Sequence, residues 1–197
     1  MRHHDVFRKI QETLMADINV LGIMLMGSVA SGSALPESDL DIMILNDKDY
    51  FITDIVDGIF VEYIFTTYET RLNKLLNNDM EVYHFLGSNI VYDVDNKLST
   101  LMSVAKDKKN SFKTSQETKK HISHWLTSVK TKLLSAINSS DTLKQNFIVS
   151  TNSWKIIEAI WAINDTPVPP SGSVIRYKND LIIKVSPLSR HNLLKAK

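Results

Sequence analysis

The chain has 197 residues, 43% of them hydrophobic and 23% charged, which is enough for a buried core in one large domain or two small ones. It contains no cysteine, so disulfides, Cys-ligated zinc and thiol nucleophiles are excluded, and carboxylates, hydroxyls and 6 histidines remain as the chemical inventory. The net charge of +1 hides two opposed halves: 7 Lys and Arg against 16 Asp and Glu up to Ser103 (net −9), then 16 against 6 from Val104 onward (net +10). Such asymmetry fits two surfaces that attract each other, or an anionic partner for the basic half.

No apolar run nears the ~20 residues of a membrane span. The opening Met-Arg-His-His-Asp-Val lacks the apolar segment of a signal peptide. A cytoplasmic protein without a membrane partner is therefore expected.

In chain order, Phe7, Ile10, Leu14 and Met15 recur at helical spacing and predict an amphipathic helix over Val6 to Asp17. Leu21 to Met26 is almost wholly apolar and reads as a buried strand. Gly27 and Ser28 end it. The small residues from Ser28 to Ala34 suit a tight turn and a short helix, closed by Pro36. Asp39 to Leu45 predicts a second strand, with Asp39, Asp41, Met43 and Leu45 on one face. A polar loop is expected next, then a strand over Ile59 to Thr66 in which Glu62 is the only charge.

Tyr68, Leu72, Leu75 and Leu76 predict a helix over Thr67 to Asn78, capped by Thr67 or Thr70. Asn89 to Tyr92 is a further strand. Lys106 to Lys113 reads as a solvated connector, giving expected domains over 1–105 and 112–197. Ile122, Trp125, Leu126, Val129 and Leu133 predict a long helix over Gln116 to Ile137, and Phe147, Trp154, Ile157 and Trp161 a second over Leu143 to Ile163. Asn138-Ser139-Ser140-Asp141 turns between them, and a last short helix is expected from Ser186-Pro187 with Leu188 and Leu193. The helical spacing of Trp125, Trp154 and Trp161 favours core packing. His121 and His124, at i and i+3, read as surface residues because two ligands make a poor zinc site.

The chemistry concentrates between Gly27 and Asp41. Two aspartates on one strand face repel each other unless a cation lies between them, and Mg²⁺ favours a couple of carboxylates completed by phosphates and water. Glycines at 27 and 32 permit close backbone approach, Ser28 adds a hydroxyl donor, and amides at the start of a following helix can donate to phosphate oxygens. Glu62 joins the same face if its strand lies beside that of Asp41 in matching register.

At Gly27-Ser28, Gly32, Ser38-Asp39-Leu40-Asp41 and Glu62, the chain resembles the nucleotidyltransferase superfamily related to DNA polymerase beta. The resemblance covers the first half. The helical remainder is similar in architecture to the second domain of antibiotic nucleotidyltransferases of the kanamycin and lincosamide type. The implied fold class is α+β: a small mixed sheet flanked by helices, followed by an all-helical acceptor-binding domain.

The implied reaction moves a nucleoside monophosphate from a nucleoside triphosphate, ATP foremost, to a hydroxyl of a small molecule such as an antibiotic, releasing pyrophosphate. Asp39, Asp41 and Glu62 would hold two Mg²⁺ ions and carry catalysis. Gly27, Ser28, Gly32 and Ser38 would bind the nucleotide. Glu158 is the alternative general base to Glu62. A homodimer is compatible with the resemblance; a nucleic-acid partner is not expected, because beyond Lys106 to Lys113 no basic and aromatic groove pattern occurs. The competing readings are an antitoxin-like enzyme that modifies a protein partner, and a nucleotide-binding module without turnover.

Overall fold

Helix α1 (Arg2–Met15) lays Val6, Phe7 and Ile10 against a five-stranded sheet and buries all three, as the 3.6-residue period of its apolar positions dictates. The computed structural model describes residues 2–183; the helix expected at Ser186-Pro187 lies outside them. The strands are β1 (Gly22–Leu25), β2 (Leu40–Leu45), β3 (Tyr50–Val56), β4 (Ile59–Thr66) and β5 (Asn89–Asp93), in the order β3-β4-β2-β1-β5. Only β2 and β4 run parallel; the other neighbours are antiparallel, so the sheet is mixed.

The central strands are buried on both faces, which explains their continuous apolar sequence: Ile23, Met24, Ile42, Met43, Ile44 and Leu45 are wholly inaccessible. One face packs on α1 through Ile23, Leu25, Leu40, Ile42 and Ile44. Helix α5 (Lys97–Ser111) packs on β1 and β5, and also on α3 (Tyr68–Asn77) and α4 (Val82–Leu86). Its Leu98 lies so close to Gly22 that any side chain there would collide with it. Leu75, Val82, Phe85, Leu98, Leu101 and Ala105 of these helices are fully buried.

Two local devices differ from expectation. The segment read as a polar loop contains β3, an edge strand paired only with β4 and exposed along almost its whole length. Its hairpin closes on Asp57 and Gly58, both with positive φ, as a two-residue turn between antiparallel strands favours. The lysine-rich stretch expected as a connector continues α5 as far as Ser111. There Lys108 donates to the Leu75 and Leu76 carbonyls and pairs with Asp79 at 3.0 Å, placing a cation at the C-terminal end of α3. The N-terminus of α3 is capped by Thr67, whose Oγ1 accepts from Thr70 N. Hydrogen bonds from Thr70, Thr66 and Thr67 hold the adjacent Asp49 carboxyl below its ordinary range.

The chain divides into two compact units, Met1–Ser111 and Phe112–Lys197. The second is built on the antiparallel pair α6 (Gln116–Asn138) and α7 (Thr142–Ile163), capped by Ser115 and Asp141. Trp161 is buried with Val174 and Leu181, and Trp154, Ile157 and Val168 pack around them. Trp125 instead is half exposed, and its indole N–H donates to Asn152 across the pair. Asp165 gathers Lys119, Thr114 N and Lys113; the Lys119 hydrogen bond leads in holding its carboxyl low. No helix among the described residues is long and apolar enough to cross a membrane.

Candidate active site

The apolar strand β1 is followed by Met26, whose N–H donates to the Asp41 carbonyl at 2.9 Å. The chain then reverses through Gly27 at φ +67° into the short helix α2 (Gly27–Ala30). Gly27 is needed twice over. Its backbone is in the left-handed region that disfavours L side chains, and a Cβ there would run into the Asp41 carboxylate. The turn and the acid are therefore in direct apposition. Gly32 also has positive φ, +72°, but a Cβ there would meet nothing within 4 Å; it serves the backbone turn and leaves open space beside it.

Ser28, the second residue of that helix, carries a buried Oγ with no hydrogen-bond partner among the described residues. Burying a hydroxyl without a partner costs about 1–3 kcal/mol. Ser31 and Ser33 close the other side of the turn, their hydroxyls 2.9 Å apart and Ser31 donating to the Gly27 carbonyl.

Asp41 and Glu62 are cross-strand partners in the parallel β2–β4 pair, which puts both carboxylates on one sheet face at neighbouring positions. Both side chains are half-buried. On the next strand Thr53 is the partner of Glu62, so Asp41, Glu62 and Thr53 form one row across the sheet. Asp39 differs from expectation. The strand begins at Leu40, and Asp39 stands exposed just before it, in the segment that enters the sheet. Ser38 is tied into that segment: its N–H donates to the Leu35 carbonyl at 3.0 Å and its Oγ accepts from Leu35 N at 2.9 Å.

Among the described residues no three His, Asp or Glu side chains close into a ready-made metal cage. Mg²⁺ takes one or two protein carboxylates and completes its shell with phosphate and water oxygens. The donor set, all carboxylate oxygens beside an unfilled hydroxyl and a Cβ-free turn, fits such an ion together with a phosphate chain. Glu158 lies in α7 and is ion-paired with Lys155. His121 and His124 are exposed, as expected.

Sequence spacing gave no sign of one further residue. His3, on α1, is 2% exposed and reaches across 35 residues to the Ser38 carbonyl at 2.9 Å.

Residues 8–97 match the family model described as Polymerase beta, Nucleotidyltransferase. Solved structures that resemble the chain include a nucleotidyltransferase-like protein from Exiguobacterium sibiricum 255-15, at 9% identity and a TM-score of 0.43, over 92% of this chain and 68% of that one. No curated protein matches the chain. The family match runs from α1 to the start of α5 and spans Gly27 to Glu62, so over these residues the first unit is similar to the nucleotidyltransferase family model of polymerase beta.

Proposed function

We propose that the chain is a Mg²⁺-dependent nucleotidyltransferase that transfers a nucleoside monophosphate from a nucleoside triphosphate, ATP foremost, to a hydroxyl of a small molecule of antibiotic type. The observation that carries this reading is the apposition of Gly27 to the Asp41 carboxylate, with Glu62 in register beside Asp41 and the Ser28 hydroxyl buried without a partner.

In the proposed reaction the acceptor oxygen bonds to the α-phosphorus while the bond from that phosphorus to the bridging oxygen breaks, and pyrophosphate departs with the electron pair. Glu62 takes the acceptor proton. Its place on a strand fixed on both sides by β2 and β3 favours it over Glu158, which is engaged with Lys155. Ser28 donates to the departing phosphates, and Gly27 lets the backbone come within reach of them. Asp39, Asp41 and Glu62 would hold the Mg²⁺, which when bound neutralises charge on the entering and leaving oxygens. The helical second unit is assigned acceptor binding.

The test is direct. Purified protein with Mg²⁺, each nucleoside triphosphate and a library of hydroxyl compounds should release pyrophosphate and form a nucleotidylated product visible by mass spectrometry. Absence of nucleotide binding by calorimetry across all four triphosphates would sink the proposal.

Gly27→Ala provides a second check. An alanine at φ +67° costs about 1–2 kcal/mol, lowering the melting midpoint by about 2–8 °C. Because the new methyl displaces the Asp41 carboxylate, transfer should fall much further than Ser33→Ala lowers it, although both lie in the same turn. Equal rates for the two variants would remove Gly27 from the site.

A further inference from the structure

We infer that His3 positions Asp39 for the site, through the Ser38 carbonyl; the inference rests on the reading of Asp39 as a metal-binding carboxylate given above. The other buried side chains of helix α1 are apolar, so a buried imidazole on it calls for a reason. His3 is 2% exposed, its Nε2 lies 2.9 Å from Ser38 O, and its Nδ1 is buried with no hydrogen-bond partner among the described residues. A peptide carbonyl only accepts, so Nε2 is the protonated nitrogen. Leaving Nδ1 without a donor is costly, and an apolar side chain would avoid that cost. The gain that offsets it is the bond to Ser38.

That bond acts at one defined place. The Ser38 carbonyl belongs to the planar peptide that ends in the Asp39 N–H, so fixing the carbonyl direction fixes the whole plane and the direction in which Asp39 leaves the chain. Residues 33–35 and 38–39 belong to no helix, strand or turn, and the turn between them closes on Ser38. Ser38 therefore uses its N–H and Oγ on Leu35 and its carbonyl on His3, three bonds that set one residue. Asp39 itself lies outside the sheet ladder that fixes Asp41 and Glu62. Of the three acids it is the one whose placement depends on loop contacts, and α1 supplies the longest-range of them.

The experiment compares wild type with His3→Ala, His3→Gln and Ile10→Ala. Gln keeps an N–H donor, and Ile10→Ala removes buried volume from the same helix without touching Ser38. Two readouts are taken on each protein: amide hydrogen exchange of residues 33–41 without metal, and Mn²⁺ affinity by electron paramagnetic resonance in the presence of a non-hydrolysable nucleoside triphosphate. His3→Ala should accelerate exchange in 33–41 and weaken Mn²⁺ binding by about 10-fold or more, the scale of losing a group that orients a metal ligand. His3→Gln should recover most of both, and Ile10→Ala should lower the melting midpoint with neither change.

Unchanged exchange in His3→Ala, or faster exchange with unaltered Mn²⁺ affinity, would overturn the inference. The same holds if Ile10→Ala reproduces both effects. A wild-type protein that binds neither Mn²⁺ nor nucleotide would overturn the nucleotidyltransferase reading instead, and the metal role of His3 with it; the exchange data would show separately whether His3 holds the Ser38–Asp39 segment.

Discussion

Asp41→Asn should lower nucleotidyl transfer by about 10³-fold, the scale on which enzymes lose rate when charge stabilisation at the reacting phosphate is removed. Asparagine has almost the same shape, so it still fits beneath Gly27, where even a methyl on the glycine would collide with the Asp41 carboxylate. The backbone bond from Met26 N to Asp41 O, 2.9 Å long, does not involve the side chain and persists. Loss of one of two carboxylates in register also relieves their mutual repulsion. The fold should accordingly persist while pyrophosphate release collapses. Transfer retained within 10-fold of wild type would remove Asp41 from the chemistry; a parallel loss of folding would make its role structural.

The parts of this site that follow from chain periodicity were legible beforehand. Ile59 to Thr66 could be read as a strand because β-branched and aromatic residues run through it, and its sequence bounds are those observed. The apolar runs on either side of the glycine turn could be read as buried strands because β1 and β2 are covered on both faces. Register was not legible. It is set by which strands become neighbours, and only the fold brings Glu62 beside Asp41 across 20 intervening positions of sequence.

Strand β3 carries the same β-branched and aromatic signal as β4 in Tyr50, Phe51, Ile52, Thr53, Ile55 and Val56, but the polar run Asn46 to Asp49 before it and Asp54, Asp57 and Gly58 within and after it give the segment the look of a loop. Helix α4 is a single short stretch, Val82–Leu86, whose buried Val82, Tyr83 and Phe85 are too few to display a period. His3 was illegible for a different reason. A lone histidine beside a second one at the start of a helix has no local feature that distinguishes a buried hydrogen-bonding ring from a solvated one, and its partner is 35 residues away.

The largest effect on stability is expected at Arg71 and Glu81, which lie on α3 and on the turn before α4, well removed in sequence from the glycine turn. Their side chains are 6% and 7% exposed and meet at 2.7 Å. Burial alone would raise the Glu81 carboxyl, but His84 and the Arg71 guanidinium outweigh it and bring the carboxyl down to about 2. His84 Nδ1 is 3.1 Å from the same oxygen without the alignment of a hydrogen bond, so its influence is one of charge and operates when the ring is protonated. Arg71 is charged at every pH.

The sign follows from the direction. A carboxyl depressed in the folded state from the ordinary 4.5 to about 2 contributes stability that is fully present above pH 4.5 and is lost as pH falls toward 2. The contribution is on the order of 3 kcal/mol. Arg71→Met should cost about 3–5 kcal/mol at pH 7, because it leaves a buried carboxylate without its fixed partner.

That deficit should shrink on acidification: in the variant burial favours the neutral carboxyl, so its penalty is relieved as pH falls toward 4.5, and the wild-type contribution is then lost as pH falls on from 4.5 toward 2. Urea unfolding of both proteins at pH 7, 5 and 3 measures the difference, and Glu81→Gln, with no charge to titrate, should remove its pH dependence at this locus. A deficit that is constant across the three pH values would mean that Arg71 stabilises the first unit by packing, and that the ion pair contributes little.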